Sequence, residues 1–351
     1  MSAHSPIGAS KAERWMNCPG SVSFALRNPE LETSSVYAEE GTRAHWVAEA
    51  MAKGWTPPPD ADAGMVKHGR QYAQHVEMYQ TFYPGESLFE AKLAAPNLHK
   101  DAYGTVDFIQ FSPATRTLII LDYKYGAGEW VNVKNNAQLL YYALLAVRSL
   151  GREGSKYEHI ILAIHQPRFG KGELQEWTIS YAELMAFEAT VKAAIERVDQ
   201  GNVETKAGKW CRWCNAKAVC KTYYNEFTAP TLAASEGIET LTPQTISYLL
   251  ENRSVIKASV EALENYAKAA CQMFGDFQGW TLASKALGRK WTNAAVVASL
   301  APKDKYPFLY KEEIKTPKQV TELAPELAHE LAPYIQQSTY QTLVPPETTH
   351  G

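Results

Sequence analysis

Two aspartates and a lysine have the spacing of a small metal site. Asp107 ends the motif GTVD, and Asp122 and Lys124 belong to the motif DYK, which begins fifteen residues after Asp107. In a β-hairpin the two carboxylates come close together, and close carboxylates repel unless a cation lies between them. Lys124 is two residues beyond Asp122 and therefore points to the same side of a strand. The pattern predicts a divalent-metal site with an amine beside it, which suits hydrolysis of a phosphodiester.

A second interpretation is that both aspartates end exposed strands near turns. The apolar run LIIL before Asp122 argues against it, because burying a carboxylate without a partner is costly. Glu90, in the preceding strand, is a third acid that could bind the metal directly or through water. His45 lies in a predicted helix with Glu40 and Glu49 about one turn away, and an imidazole can bind Mn²⁺ or a softer metal. The alternative for His45 is a partly buried helix residue.

Gln138 and Tyr142 are four residues apart and share one face of a predicted helix. They could hydrogen-bond a phosphate or a base. The alternative is a polar surface residue next to a core aromatic.

Three cysteines lie within ten residues, at the spacing CxxCx5C: Cys211, Cys214 and Cys220. Cys18, far upstream, is the candidate fourth ligand, and it would hold the N-terminal helix against the end of the core. Four thiolates suit an iron–sulfur cluster or Zn²⁺, and zinc sites more often use paired CxxC motifs. Free structural thiols are the alternative. Cys271, among apolar helix residues, is predicted to be in the core.

The segment around these cysteines is basic and aromatic. Between Glu204 and Glu226 there are five Lys or Arg residues and no acid, and the interleaved rings are Trp210, Trp213, Tyr223 and Tyr224. This composition fits single-stranded nucleic acid, with phosphates on the cations and bases on the rings. It fits equally a solvated basic face whose aromatics pack around the cysteines.

Composition excludes several protein classes. The chain has 351 residues, a net charge of −3 and five cysteines. An odd cysteine count without an apolar signal-peptide core argues against a disulfide framework and predicts a cytoplasmic protein. No apolar run approaches the roughly 18 residues of a membrane span, which predicts no membrane association. Nucleic-acid binding would have to come from local patches.

The periodicity predicts an α/β core with a mixed sheet covered by helices. Helical patterns occupy residues 8–28, 41–54, 66–82, 133–151 and 181–200, and strand patterns occupy 86–95, 103–112, 117–126, 159–168 and 173–180. Ser180 and Glu183 form a capping box for the last of these helices, which Gly201 ends. If Phe111 pairs with Thr117, Asp107 falls opposite Leu121, and a one-residue bulge would bring it opposite Asp122.

Beyond about residue 229 the pattern becomes mainly helical. It predicts a long helix from Thr242 to about Met273, a short β element at 278–291, helices at 292–300 and 316–336, and a disordered tail from Thr342. We therefore expect two regions, 1–228 and 229–351.

Together these motifs resemble the RecB-type branch of the PD-(D/E)XK nucleases. The shared features are an N-terminal cysteine, a GTxxH-like motif at His45, Glu90, GxxD at Asp107, DYK, QxxxY at Gln138 and Tyr142, and CxxCx5C. The nearest subgroup is the iron–sulfur members, namely the AddB nuclease domain and the CRISPR-associated RecB-like exonucleases, with similar proteins in phage and prophage genomes. The resemblance covers about residues 8–226.

The resemblance implies a restriction-endonuclease-like core that holds Mg²⁺ or Mn²⁺ and a structural [4Fe–4S] cluster. It implies catalytic roles for Glu90, Asp107, Asp122 and Lys124. The implied metal ligands are His45, Glu90, Asp107, Asp122 and Tyr123. Gln138 and Tyr142 would contact substrate, and Cys18, Cys211, Cys214 and Cys220 would hold the cluster, with Zn²⁺ as the less favoured occupant.

We therefore expect a metal-dependent DNA exonuclease of phage recombination or DNA processing, in the cytoplasm of a bacterial host. The expected substrate is DNA that is single-stranded or has free ends. A recombination partner protein and a homo-oligomeric assembly stay open. The alternatives are a partner protein that binds single-stranded nucleic acid without cutting it, and a zinc-stabilised structural or adaptor module.

Overall fold

The structure is a computed structural model that describes residues 5–28, 36–58, 61–127, 130–149, 157–169, 174–201, 204–310 and 315–344. A five-stranded mixed sheet forms its centre, in the order β1-β2-β3-β4-β5. The strands are β1 (Glu86–Ala94), β2 (Tyr103–Ser112), β3 (Thr117–Tyr123), β4 (His159–His165) and β5 (Leu174–Ser180). Strands β3 and β4 are parallel, and the other neighbouring pairs are antiparallel. The predicted α/β architecture is confirmed.

Helices cover both faces of the sheet. They are α1 (Ala12–Asn17), α2 (Gly20–Arg27), α3 (Val36–Ala52), α4 (Ala63–Phe82), α5 (Ala137–Ser149) and α6 (Tyr181–Asp199). One core layer joins the sheet to α1, α5 and α6, and the other joins it to α3 and α4. All seven residues of β3 are buried, which explains its nearly continuous apolar sequence. Helix α5 makes the crossover that parallel strands β3 and β4 require.

Local signals placed several helix ends correctly. The capping box of Ser180 and Glu183 is present at the start of α6. Gly201, just beyond α6, has a φ of 65°, in the left-handed region that glycine adopts without a Cβ clash.

Helix α4 begins three residues earlier than predicted, because the Asp62 carboxylate caps it by accepting a hydrogen bond from the Met65 N–H. The single helix predicted over 8–28 is divided between α1 and α2, with Cys18 and Pro19 at the break.

The predicted register of the β2–β3 hairpin was wrong by one residue. Phe111 pairs with Leu118 and not with Thr117. A four-residue turn, closed by Arg116 with a φ of 53° and its N–H donated to the Pro113 carbonyl at 3.2 Å, sets this pairing. The last pair of the ladder is Phe108 with Leu121, so Asp107 and Asp122 are the next residues along the two strands. The two carboxylates therefore face each other without the expected bulge.

The region after residue 228 is mainly helical, as predicted. A short helix at Lys221–Tyr223 (α7) leads into it. It contains α8 (Ala229–Glu236), α9 (Pro243–Glu251), α10 (Arg253–Phe274), α11 (Ala294–Leu300), α12 (Pro317–Leu323) and α13 (Ala328–Leu331). The long helix predicted from Thr242 is two helices, because Asn252 interrupts it and its side-chain amide donates to the Tyr248 carbonyl at 2.9 Å. None of the helices in the described ranges has the length and apolar character needed to cross a bilayer.

Two strands form a separate antiparallel sheet in this region: β6 (Thr281–Trp291) and β7 (Ile335–Val344). Strand β6 agrees with the predicted β element. The predictions of helix up to residue 336 and of a disordered tail from Thr342 were wrong, because both segments contribute to β7. Its partner β6 lies more than forty residues earlier in the chain, and such a distant pairing leaves no local signal. The tail beyond Val344 lies outside the described residues.

Candidate metal centre and cysteine cluster

Asp107 occupies the point where the β2–β3 ladder ends. Its Oδ2 accepts the main-chain N–H of Tyr123 at 2.7 Å, so the carboxylate replaces a ladder carbonyl as the acceptor of that N–H. Its Oδ1 lies 3.1 Å from Nδ1 of His45 on α3. The two contacts fix both carboxylate oxygens, one from the sheet and one from a covering helix.

Glu90 reaches the same place from β1. The pairs Phe89–Phe108 and Ala91–Val106 place Glu90 across from Asp107. Glu90 has a φ of 44°, in the left-handed region that costs a residue with a Cβ about 1–3 kcal/mol. Within the described residues, His45, Glu90 and Asp107 form a group whose ligand atoms all lie within 4.8 Å of one another. The strained backbone therefore brings the Glu90 carboxylate to His45 and Asp107 as a third candidate metal ligand.

Asp122 lies on the other side of this group and is bonded through side chains. It is 2% exposed, and its Oδ2 is 2.7 Å from Nζ of Lys124. Gln138 of α5 links the pair: its Nε2 donates to Asp122 Oδ1 at 3.1 Å, and its Oε1 accepts from Lys124 Nζ at 2.9 Å. The same Nε2 is 3.3 Å from the Tyr142 hydroxyl. The four side chains form one network that orients the lysine.

Burial and repulsion determine the ionisation of these acids. Burial raises the pKa of Asp122, and the Asp107 charge adds to this effect while Lys124 opposes it. Burial and the Asp107 charge raise the pKa of Glu90 to about 7. Burial would also raise the pKa of Asp107, but the charge and hydrogen bond of His45 outweigh it and lower that pKa. Burial lowers the pKa of His45, and the ion pair with Asp107 outweighs it, giving a value of about 9. Two of the three acids are therefore harder to ionise than usual, and the His45 imidazole holds its proton more tightly.

Of the sequence-predicted metal and catalytic residues, His45, Glu90 and Asp107 form one close group, Asp122 with Lys124 adjoins it at the end of the β2–β3 ladder, and the ring of Tyr123 turns away. That ring points into the α3–α4 core and stacks on His165, with centroids 5.7 Å apart and planes 15° apart. The main-chain N–H of Tyr123 bonds to Asp107, and the Tyr123 ring meets the His45 imidazole edge-on, with centroids 5.5 Å apart. Gln138, predicted to contact substrate, bonds to Asp122 and Lys124, and Tyr142, predicted to do the same, accepts a hydrogen bond from Gln138.

The four predicted cluster cysteines line one cavity of about 180 Å³. Burial raises the pKa of the Cys211 thiol to about 12, with the other three cysteines contributing in the same direction. Main-chain N–H groups approach two of the sulfurs: that of Lys206 is 3.5 Å from Cys18 Sγ, and that of Tyr223 is 3.5 Å from Cys220 Sγ. Such N–H groups stabilise thiolates, which are the form that binds metal.

The sulfur spacing bears on what the cavity could hold. No three of these four sulfurs, all in the described part of the chain, lie as close as 4.8 Å to one another. Sulfurs around one zinc ion, each at about 2.3 Å from it, would be about 3.8 Å apart. The wider arrangement leaves room for a larger group.

The chain around the cysteines joins distant segments. The Gly20 N–H donates to the Glu204 carbonyl at 3.0 Å, and Arg197 of α6 donates to the Met16 carbonyl at 2.7 Å. The N-terminal helices are thus held against the end of α6 by hydrogen bonds.

A profile of one protein family, described as "Protein of unknown function (DUF2800)", matches residues 4–350. The chain belongs to the DUF2800 family. One solved structure, titled "Crystal structure of SSO0001", is similar at 15% sequence identity; the match covers 60% of this chain and 84% of that chain, with a TM-score of 0.33. A likeness this distant carries no argument about the activity of the DUF2800 protein.

The basic segment of the DUF2800 chain divides between core and surface. Tyr223 is 2% exposed and donates its hydroxyl to the Val255 carbonyl at 2.7 Å, so it packs as a core residue. Trp213 is 69% exposed, and the Arg212 guanidinium lies 4.9 Å from its ring centroid. Only part of the predicted stacking surface is therefore available to a ligand.

Gln166, which directly follows β4, was not predicted from the sequence. This residue is 1% exposed and bonds twice to the loop after Lys124, accepting from the Val131 N–H at 3.0 Å and donating to the Gly126 carbonyl at 3.2 Å. The available signal was a polar residue immediately after the apolar run IILAIH, where a buried amide needs partners.

The backbone of Glu90 gives a testable prediction. Glycine adopts positive φ without a Cβ penalty. The free energy of unfolding of Glu90→Gly should therefore exceed that of Glu90→Ala by about 1 kcal/mol, whereas at an ordinary strand position the alanine variant is the more stable one. Chemical denaturation measures this difference. Both variants should bind Mn²⁺ more weakly than wild type by calorimetry. An alanine variant as stable as the glycine variant would contradict the strain.

Proposed function

We propose that this DUF2800 protein is a metal-dependent deoxyribonuclease that acts as an exonuclease. The observation that carries the proposal is the meeting of Asp107 and Asp122 at the end of the β2–β3 ladder. His45 and Glu90 lie on one side of them, and Lys124 is ion-paired to Asp122 at 2.7 Å. Carboxylates joined to a lysine in this way suit hydrolysis of a phosphodiester.

The residues present fit a hard divalent cation. Three carboxylates, Glu90, Asp107 and Asp122, lie near one lysine and one histidine, and burial together with the Asp107 charge raises the pKa values of Glu90 and Asp122. Oxygen ligands of this kind suit Mg²⁺ or Mn²⁺. His45, Glu90, Asp107 and Asp122 would hold the ion. When bound, it would polarise the phosphoryl group and favour deprotonation of the attacking water.

Lys124 supplies the second element of the chemistry. Its ammonium is held between the Asp122 carboxylate and the Gln138 amide oxygen, so its position is set before substrate arrives. From there it can orient the attacking water or stabilise the negative charge that develops on the phosphate. Gln138, supported by Tyr142, holds the side chains of Lys124 and Asp122 in place, and an incoming phosphate can replace some of these hydrogen bonds.

The cysteine cavity supports a structural [4Fe–4S] cluster in preference to zinc. Its volume of about 180 Å³ and the spacing of its sulfurs suit a group larger than one ion. Bound there, the cluster would tie α1 and α2 to the segment after α6.

The proposal places the chain among RecB-type PD-(D/E)XK nucleases of phage origin, acting in the bacterial cytoplasm in recombination or DNA processing. Residues 1–228 would form the nuclease core, and residues 229–351 an accessory region. The motif order along residues 8–226 supports this assignment, together with the five-stranded mixed sheet.

A second candidate function is a partner protein that binds single-stranded nucleic acid without cutting it. The exposed Trp213 ring with Arg212 beside it favours this function. Protein that binds labelled oligonucleotides but leaves them intact in the presence of Mn²⁺ would support it over the nuclease.

Replacing the lysine tests the nuclease directly. We expect Lys124→Ala to lower the Mn²⁺-dependent digestion rate of end-labelled DNA by about 100-fold or more, because the charge beside the reacting phosphate is lost. DNA affinity should change little, and the melting temperature should fall but leave the protein folded at the assay temperature, because the buried Asp122 loses its ion-pair partner. The matched control is Lys100→Ala, which removes an exposed lysine in the turn before β2. Full activity in Lys124→Ala would refute the assigned role.

The cluster has a separate test. Anaerobically purified wild-type protein should be brown, with absorbance at about 400 nm from thiolate-bound iron and sulfide. Cys220→Ser should lose most of this absorbance, and so should Cys18→Ser. Cys271→Ser should keep it, because Cys271 lies apart from the cavity and bonds to the Trp280 carbonyl at 3.2 Å. Colourless wild-type protein that contains zinc would overturn the iron–sulfur assignment.

A further inference from the structure

Two exposed tryptophans, Trp130 and Trp55, lie in the chain close to residues of the metal centre, each packed with further rings and near a cation. One group, the loop station, consists of Trp130 and Phe169 with Tyr125 and Arg168. The other, the helix-end station, consists of Trp55 and Phe89 with Lys53. We propose that a single-stranded nucleic acid crosses the metal centre from one station to the other, with bases stacked on rings on both sides of the scissile phosphate. The position of that phosphate rests on the proposed function.

The loop station is anchored next to Lys124. The loop that follows this lysine bonds on both sides of Trp130 to the buried Gln166, through Gly126 at 3.2 Å and Val131 at 3.0 Å. Trp130 is therefore held at the carboxyl ends of β3 and β4, the edge where open α/β sheets bind ligands. The ring is 45% exposed although its backbone is anchored, which suits contact with a ligand.

Phe169 and Arg168 complete this station from the other strand. A turn in which the Phe169 N–H donates to the Gln166 carbonyl at 3.3 Å brings Phe169 beside Trp130, with ring centroids 6.0 Å apart. The Arg168 guanidinium lies 4.7 Å from the centroid of the Tyr125 ring and 3.1 Å from Glu40 at the start of α3. The Trp130–Phe169 ring pair offers a base-stacking surface, and Arg168, the neighbour of Phe169 in the chain, offers a phosphate contact.

The helix-end station lies where α3 stops. Gly54 has a φ of 68°, and the next residue, Trp55, donates its N–H to the Ala50 carbonyl at 2.8 Å, so the chain folds back over the helix end. Lys53 Nζ lies 4.5 Å from the centroid of the Trp55 ring and 5.3 Å from that of Phe89. Trp55 is 56% exposed. Phe89 immediately precedes Glu90, which connects this station to the metal centre.

Helix α3 spans the distance between the two stations. Glu40, which touches the loop station, and Lys53, in the helix-end station, are thirteen residues apart, with His45 between them. At 1.5 Å per residue this separation is about 20 Å, which is room for several nucleotides at about 3.4 Å per stacked base. A single strand can offer its base faces to both stations. A duplex keeps those faces stacked inside, so the arrangement selects single strands.

The test measures binding apart from cleavage. A fluorescein-labelled single-stranded oligonucleotide is titrated with the Lys124→Ala protein by anisotropy, with Mn²⁺ present. Adding Trp130→Ala, or separately Trp55→Ala, should weaken binding at least about five-fold, because base–aromatic stacking contributes about 1–3 kcal/mol per base. Trp130→Phe and Trp55→Phe should restore most of the affinity. A blunt duplex of the same sequence should bind more weakly and respond to neither alanine variant.

The matched control is Trp280→Ala, which removes another exposed tryptophan, 39% exposed, just before β6 in the C-terminal region. It should leave the affinity unchanged. The proposal would be overturned by unchanged affinity in both Trp130→Ala and Trp55→Ala, or by an effect of only one of them. An effect of Trp280→Ala alone, or absence of binding by the parent, would also overturn it. Wild-type protein that binds in this manner but fails to cut DNA would count against the nuclease assignment and leave the strand path intact.

Discussion

Repulsion between two dehydrated carboxylates is the constraint on which the candidate site depends. Asp107 and Asp122 end neighbouring strands, and Asp122 is almost completely buried. The fold balances their charge only in part, with His45 on one carboxylate and Lys124 on the other. His45 and Lys124 are each ion-paired to one carboxylate, so a further positive charge bound between the two would lower their repulsion.

The surrounding fold keeps these carboxylates from moving apart. Strand β3 is buried on both faces, and its neighbours fix its register over the whole length of the strand. Helix α3 approaches from one core layer through His45, and α5 approaches from the other through Gln138. A site built at the meeting of three strands and two helices is pre-organised, because the strand register and hydrogen bonds from both covering helices fix its side chains.

The cysteine cavity connects this core to the chain ends. The N-terminal helices reach it through Cys18, and the segment after α6 supplies the other three sulfurs. Helix α10 packs on the same segment, where Tyr223 donates its hydroxyl to the Val255 carbonyl. A group bound in the cavity would therefore stabilise the contact between the sheet domain and the first long helix of the C-terminal region.

Local features of the fold were predictable, and features that depend on distant partners were not. The capping box of α6 and the β2–β3 hairpin have short-range signals, and DYK after an apolar run already indicated a buried carboxylate. The hairpin register depended on turn geometry at Arg116, which a sequence pattern leaves open by one residue. Strand β7 was missed because its partner is distant. The strain at Glu90 and the two bonds of Gln166 follow from tertiary contacts, which no spacing rule encodes.

The most direct test of the central claim is a calorimetric titration of Mn²⁺ into the anaerobically purified protein. Wild-type protein should show saturable binding. Asp107→Asn and Asp122→Asn should each bind Mn²⁺ at least about ten-fold more weakly, because each removes one of the facing charges. The control Asp304→Asn alters an exposed aspartate of the C-terminal region and should bind like wild type. Wild-type affinity in both of the first two variants, or no binding by wild type, would contradict the central claim.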